Sequence, residues 1–427
     1  MSSLPHAWMP AEQAGSLSAS YQRIRNATID LTRTLEPEDF VVQTMPDVSP
    51  TKWHLAHTTW FFEHFLLRPN AAGYRPFDEQ FDFLFNSYYY SVGQMHLRPE
   101  RGFLSRPTVR RILEFRNHVD EAMTALLDST GDDPEIAKLT TLGINHEQQH
   151  RELLLTDIKH VFSRNPMLPA LRDTPAAPHG VAGDMRFVER NEGIREIGAR
   201  DDGFFFDNET PRHRVLLARH ALGARLVTNA EYREFVDDGG YRRTDLWLSD
   251  GWAAVQREGW DRPLYWSEDL AQEFTLGGLR ELVPDAPVAH VSYYEADAFA
   301  RWAGARLPTE MEWETAAEEQ AIKGNFLESG LLHPSPNPVP KGEGEKAPSQ
   351  MFGDVWEWTQ SAYMPYPGFK PLAGSLGEYN GKFMCNQWVV RGGSCATSRS
   401  HIRASYRSFF YPHQRWQFLG IRLAKDL

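Results

Sequence analysis

Two cysteines, Cys385 and Cys395, are all that the 427 residues contain. That is too few for a disulfide framework and fits a chain kept in a reducing compartment. No apolar run approaches the roughly 18 residues of a bilayer-crossing helix, so no transmembrane segment is expected. The opening stretch MSSLPHAWMPAEQAGSLSAS lacks the basic start and apolar core of an export signal. Basic clusters are missing too. With 45 Lys and Arg against 57 Asp and Glu the formal charge is −12, which argues against nucleic acid or an anionic membrane as partner. The expectation is a cytoplasmic protein, of unknown oligomeric state.

What is present follows two grammars. Residues 15–164 carry the helical period. Ser49 and Pro50 precede TKWHLAHTTWFFEHFLL as a cap and a first helical residue. Pro107 starts a second helix with apolar positions at Val109, Ile112, Leu113, Val119, Met123, Leu126 and Leu127, and Pro134 opens a third. With SLSASYQRIRNATIDLTRTL ahead of them, four amphipathic helices predict an up-down bundle. Residues 165–184 hold four prolines without periodicity and read as a linker. In residues 185–427, short β-like runs such as HRVLLARHAL and QWVVRGG alternate with Gly, Pro and Asn clusters. Two helices stand out there, SYYEADAFARWAG and the segment begun by the capping box Thr309–Glu312, whereas 335–349 reads as loop. The expected fold class is therefore multidomain α+β.

His146-Glu147-Gln148-Gln149-His150 spells H-E-x-x-H, the zinc-protease pattern. Histidines four apart leave one helix face, and this face continues the apolar stripe, which aims both imidazoles into the bundle. The protease reading then weakens. The third histidine of one protease class would fall at position 156, which is Thr156, and the segment after the helix is the proline-rich linker. Upstream, His54, His57 and His64 are available, His57 being the better inward choice. Imidazole donors suit zinc, iron, copper or nickel, so ligand type does not decide the metal. A metal store, a sensor or a ligand-binding module remains as a non-enzymatic alternative.

HLAHTTWFFE and HEQQHRELLLTDI resemble the metal-binding helices of the DinB-like domain in ergothioneine-forming sulfoxide synthases, the hercynine oxygenase family. RWAGARLPTEMEWE, GDVWEWTQS, VVRGGSC and GIRLA resemble that family's C-terminal domain, a C-type-lectin-like fold shared with formylglycine-generating enzymes. The resemblance implies an Fe(II)- and O2-dependent enzyme with His57, His146 and His150 as ligands. It would join the sulfur of cysteine, or of a cysteine-containing peptide, to the imidazole C2 of hercynine and oxidise that sulfur to a sulfoxide. Gln149 would then help to hold the carboxylate of the histidine-derived substrate, and Glu147 would have no catalytic task. The N-S-Y-Y run matches the branch using free cysteine, which makes Tyr88 and Tyr89 the implied proton donors, ahead of Tyr379.

At the C-terminus, RASYRSFFYPHQRWQFLGIRLA is equally readable as a core hairpin. In the family the corresponding stretch walls the substrate pocket. Phe409, Trp416 and Phe418 would face a trimethylammonium group, and Arg407 or Arg415 would hold a carboxylate. Phe410 and Gln414 stand where the branch using γ-glutamyl-cysteine has an acid and an arginine, which favours L-cysteine as sulfur donor. Ovothiol-type, γ-glutamyl-cysteine-using and selenium-donor relatives are the close alternatives.

Overall fold

The computed structural model describes residues 15–130, 133–175, 180–201, 203–336 and 347–427. The chain folds as two compact units, one ending at Leu154 and the other running from Leu155 to Leu427.

In the first unit, polar caps set the helix starts. Ser16 Oγ accepts from Ala19 N at the head of α1 (Leu17–Asp30). The second helix, α2 (Thr51–Phe62), follows Pro50, which stands just outside the first turn rather than in it. The Ser49 hydroxyl accepts from Arg101 Nη1 at 2.9 Å, and α2 has no side-chain cap. Every residue of α2 is buried, so this helix is the centre of the bundle rather than one amphipathic wall. It continues into a π-helical turn, Glu63–Leu67. The third helix, α3 (Val109–Thr130), starts two residues after Pro107, with Thr108 Oγ1 accepting from Arg111 N. The fourth, α4 (Pro134–Ser163), begins on Pro134 as expected, and Asp133 Oδ1 receives the N–H groups of Glu135 and Ile136. Where α4 meets α2 stands Gly143. A Cβ there would lie 2.5 Å from the Phe62 ring and 3.0 Å from Phe61, so only glycine permits this approach without displacing a ring.

Residues 155–163 of α4 belong to the second unit, before the boundary expected at 164. Their side chains explain why. Asp157 accepts from Trp416 Nε1 at 2.9 Å, and Lys159 Nζ lies 2.7 Å from His290 Nε2. The expected linker also packs here: Leu171 N donates to Leu276 O, and Arg280 Nη2 donates to Thr174 O. Residues 176–179 of that linker, and most of the expected loop 335–349, lie outside the described residues.

The second unit is mixed. Phe187–Arg190, His220–Gly223 and Ala424–Asp426 form an antiparallel sheet in that order, so an early and a late strand flank one partner. Leu419–Gly420, Trp356–Ala362, Trp388–Arg391 and Ser408–Phe410 form a second sheet, parallel at its first pair and antiparallel elsewhere. Two hairpins, 193–217 and 272–281, complete the strands described. Capping boxes start the helices Asn229–Asp237, Tyr293–Trp302 and Glu310–Ala317, the last on the expected Thr309 and Glu312.

The motifs of this unit interlock. Trp313 Nε1 donates to Glu357, whose carboxylate also takes Arg422 Nε and Nη2. Glu310 and Glu314 share Arg391. LPTEMEWE, GDVWEW, VVRGG and GIRLA are thus joined by buried ion pairs and hydrogen bonds, which accounts for their marking a fold rather than one activity. Among the described residues no helix is long and apolar enough to cross a membrane.

Candidate metal centre

The spacing of α4 delivers His146 and His150 to one face, and α2 supplies His57 opposite them. Ring centroids are 4.9 Å apart for His57 and His146, and 4.6 Å for each of the other two pairs. One nitrogen from each ring lies within 4.8 Å of the others, and all three residues are buried. Two nitrogens about 2.1 Å from one ion can be no more than ~4.2 Å apart, so the trio is close to ligand spacing. Among the described residues it is the one grouping of three or more potential ligands so placed.

The donor chemistry fits a metal. His57 Nδ1 lies 2.6 Å from Phe85 O and donates to it. That leaves Nε2 as the basic nitrogen, buried without a hydrogen-bond partner. Such an atom is costly unless something accepts its lone pair. Burial keeps His57 and His150 well below the usual imidazole range and pushes His146 down to about 3. The trio is therefore neutral at physiological pH, the state that binds a cation.

Aromatic rings hold the three imidazoles in place. Trp53 stacks on His57 at 4.6 Å and 12°, and Trp60 stacks at 5.8 Å and 16°. The Phe61 ring lies 4.8 Å from that of His146. Arg101 covers Trp53, 3.3 Å from its centroid. His64, one of the three upstream candidates, turns to Asp82 instead, 3.2 Å away.

Glu147, the residue a zinc protease would use as base, is fully buried between Arg25 Nη1 at 2.8 Å and Arg116 Nη2 at 2.6 Å. Burial pushes its carboxyl up, but the Arg116 and Arg25 guanidiniums outweigh that and hold it well below the usual carboxylate range. A carboxylate so engaged is no general base. Neither arginine stands out in the sequence.

The tyrosine run is a tight turn. Asn86 Oδ1 accepts from Tyr89 N, and Asn86 Nδ2 donates to Tyr89 O. The same turn supplies Phe85 O to His57, so this imidazole and the tyrosines share one support. Tyr88 meets the His57 ring edge-on at 6.4 Å. Tyr89 is fully buried beside Tyr88, Trp60 and Phe65, whereas Tyr90 is 72% exposed. Burial pushes the Tyr88 phenol above its usual range. Gln149 is half-buried on α4.

The residues expected to line a pocket in the second unit have varied surroundings. Arg407 is committed inside the fold: Nε and Nη2 bond Glu310, Nη2 also bonds Met364 O, and Nη1 bonds Asn208 O. A guanidinium with each nitrogen engaged has little left for a substrate carboxylate. Arg415 pairs with Glu295 at 3.2 Å and lies over Trp260. Phe409 stacks on Tyr363 at 4.0 Å, while Phe410 meets Trp416 edge-to-face at 6.3 Å. Phe418 is fully buried beside His290, and Tyr379 stacks on Phe206. Gln414 Oε1 accepts from Tyr411 N. Cys385 is exposed and Cys395 buried, both as free thiols.

Comparison with known proteins follows the same division. Residues 20–154 match the family model of the DinB superfamily, and residues 180–337 with 348–427 match that of the sulfatase-modifying factor enzyme 1-like domain. The chain is similar to the hercynine oxygenase of Mycolicibacterium thermoresistibile, 34% identical over 94% of this chain and 93% of that protein. Similarity to the hercynine oxygenase of Mycobacterium tuberculosis is 32% identity over 96% of this chain and 99% of that protein. Over 62% of its length the chain is also 27% identical to the formylglycine-generating enzyme of Streptomyces coelicolor, covering 96% of that protein.

Proposed function

The chain belongs to the hercynine oxygenase family, and from that premise we propose that it is a non-haem Fe(II), O2-dependent sulfoxide synthase. Its substrates are hercynine and L-cysteine. The sulfur of cysteine joins the imidazole C2, and the same sulfur is oxidised. The observation that carries this reading is the buried, neutral trio His57, His146 and His150, whose nitrogens converge within 4.8 Å.

The balance closes without an outside reductant. The C2 hydrogen and the thiol hydrogen leave with one oxygen atom as water, and the other oxygen atom stays on sulfur. His57, His146 and His150 would hold Fe(II), which supplies activation of dioxygen and a template for thiolate and imidazole. The chain's residues do the rest. Three neutral ligands leave the site's positive charge undiminished, which favours the thiolate over the thiol. Trp53 and Trp60 flank His57 and keep water from it. Tyr88, with its phenol kept protonated by burial, provides a proton at its Oη. Gln149 offers an amide to the substrate carboxylate. Phe410 and Gln414 bring no charge of the kind a second carboxylate and amine would need, which supports free cysteine over γ-glutamyl-cysteine.

Anaerobically Fe(II)-loaded protein, given O2 with hercynine or histidine against cysteine or γ-glutamyl-cysteine, tests this by mass spectrometry and oxygen uptake. The expected outcome is a hercynine–cysteine sulfoxide with one O2 consumed per product. Absence of oxygen uptake with hercynine and cysteine sinks the reading.

A further inference from the structure

Beside the trio lies His54, one turn before His57 on α2, with Nδ1 3.0 Å from Nδ1 of His150. Both rings are nearly inaccessible, at 3% and 9% exposure. Two facing imidazole nitrogens at this distance need one donor and one acceptor, so the ring that carries the proton decides what the other can do. We infer that His54 is a positioning residue that accepts the His150 Nδ1 proton and thereby fixes His150 as an Nε2 ligand, which rests on the metal reading of the trio.

Three observations carry it. First, Nδ1 of His150 is taken up by His54, so Nε2 is the nitrogen left for a metal, and the opposite arrangement would put the His150 proton there and leave it no lone pair to give. Second, His57 is already set in the same sense: its Nδ1 donates to Phe85 O, and its Nε2 is left buried and unbonded. His54 does for His150 what the Phe85 carbonyl does for His57. Third, the Trp53 ring lies against all three imidazoles concerned, with centroids 5.7 Å from His54, 4.6 Å from His57 and 6.1 Å from His150. The rings are thus braced as a set. One helix, α2, supplies a ligand of its own and the acceptor that orients a ligand on α4. Partners of this kind outside the ligand set fix the tautomer and ring angle of metal-bound histidines, and losing them typically weakens metal binding about 10- to 100-fold.

The test uses the full metal-free chain and Co(II) alone, followed by its visible d–d absorption. Wild type is compared with His54→Leu, which removes the acceptor, and His54→Asn, whose Oδ1 occupies the place of the imidazole Nδ1. His54→Leu is expected to weaken Co(II) about 10- to 100-fold and to change the spectrum, and His54→Asn to restore both to within a few-fold. Wild-type affinity and spectrum in His54→Leu would overturn the inference, as would an Asn variant no better than the Leu variant. Should His54→Leu fail to fold, 15N-histidine NMR of the Zn(II)-loaded wild type decides: His150 protonated on Nδ1 supports the inference, and on Nε2 it is overturned. The His146→Leu variant separates the two levels. If it binds Co(II) like wild type, the trio is not the metal site and both readings fall; if it loses Co(II) while His54→Leu does not, only the role of His54 falls.

Discussion

His146 and Glu147 are adjacent on α4, and both are buried, yet their surroundings differ in kind. Glu147 is closed: two guanidiniums take its two oxygens at 2.6 and 2.8 Å. His146 faces two other neutral imidazoles, with no carboxylate among the group that converges there. One step along a helix turns a side chain by about 100°, enough to send neighbours into separate environments. The closed arrangement recurs in the second unit, where Glu310, Glu314 and Glu357 are held by Arg391, Arg407 and Arg422. Closed clusters specify how a chain packs, whereas neutral imidazoles converging on one point are set up for a ligand.

The largest effects should come from exchanging the two kinds of loss. His146→Leu should abolish binding of Fe(II) or Co(II) and bring oxygen uptake to background, while the chain without metal stays as stable as wild type or becomes more so. Glu147→Gln should do the reverse. It leaves the buried Arg116 guanidinium without its counter-charge and Arg25 with Asp120 alone, at a cost on the order of 3–5 kcal/mol, while the folded fraction keeps its metal affinity. Urea unfolding paired with Co(II) titration reads both quantities. A Glu147→Gln protein of wild-type stability would show that the triad is solvated in solution. The acid limb adds a sign. Because the folded pKa of Glu147 lies below its unfolded value of about 4.3, its contribution is complete above that pH and lost as the pH falls through the folded value. Wild type should therefore lose stability more steeply than Glu147→Gln below about pH 4, by at most ~1.4 kcal/mol per pH unit.

The open cluster is largely legible in the sequence, because a spacing of four on an apolar face has one geometric meaning. His146 and His150 need nothing more. His57 is separable from His64 only by its face, and its proposed place as third ligand comes from resemblance. The closed clusters are illegible there, since Arg25 and Arg116 lie 122 and 31 residues from Glu147 and no local pattern links them. The pairing of Arg407 is hidden for the same reason: it bonds Glu310, 97 residues away, and nothing in the aromatic stretch around it signals that partner. The end of the helical unit is also hidden, because α4 keeps its period past Leu154 while its side chains change partners.

A smaller effect is expected where the two helices of the trio touch. Gly143→Ala removes a helix-weakening glycine, worth about 1 kcal/mol in its favour. The new methyl group must displace Phe62 and Phe61, which are 1% and 0% exposed, and overpacking of this kind costs about 1–3 kcal/mol. The net loss should be no more than about 2 kcal/mol. Phe61 lies against His146, so the shift should also reach the trio and weaken Co(II) a few-fold. A more stable variant with unchanged metal affinity would mean that the contact is slack.

The least stability is at stake in Tyr88→Phe, which deletes one hydroxyl from a half-buried ring and should change unfolding by under about 1 kcal/mol. Its effect belongs to product partition. With the ring still edge-on to His57 but the proton gone, turnover should divert from carbon–sulfur coupling towards simple oxidation of cysteine, by several-fold in product ratio. Metal affinity should not move. Because burial raises the Tyr88 phenol above its usual range, the wild-type ratio should be flat between about pH 6 and 9, with no deprotonation step in that window. Tyr90→Phe, on a ring that is 72% exposed, is the control and should match wild type. If neither Tyr88→Phe nor Tyr89→Phe alters the ratio, the proton comes from Tyr379 or from solvent, and the turn built by Asn86 serves only to hold the Phe85 carbonyl against His57.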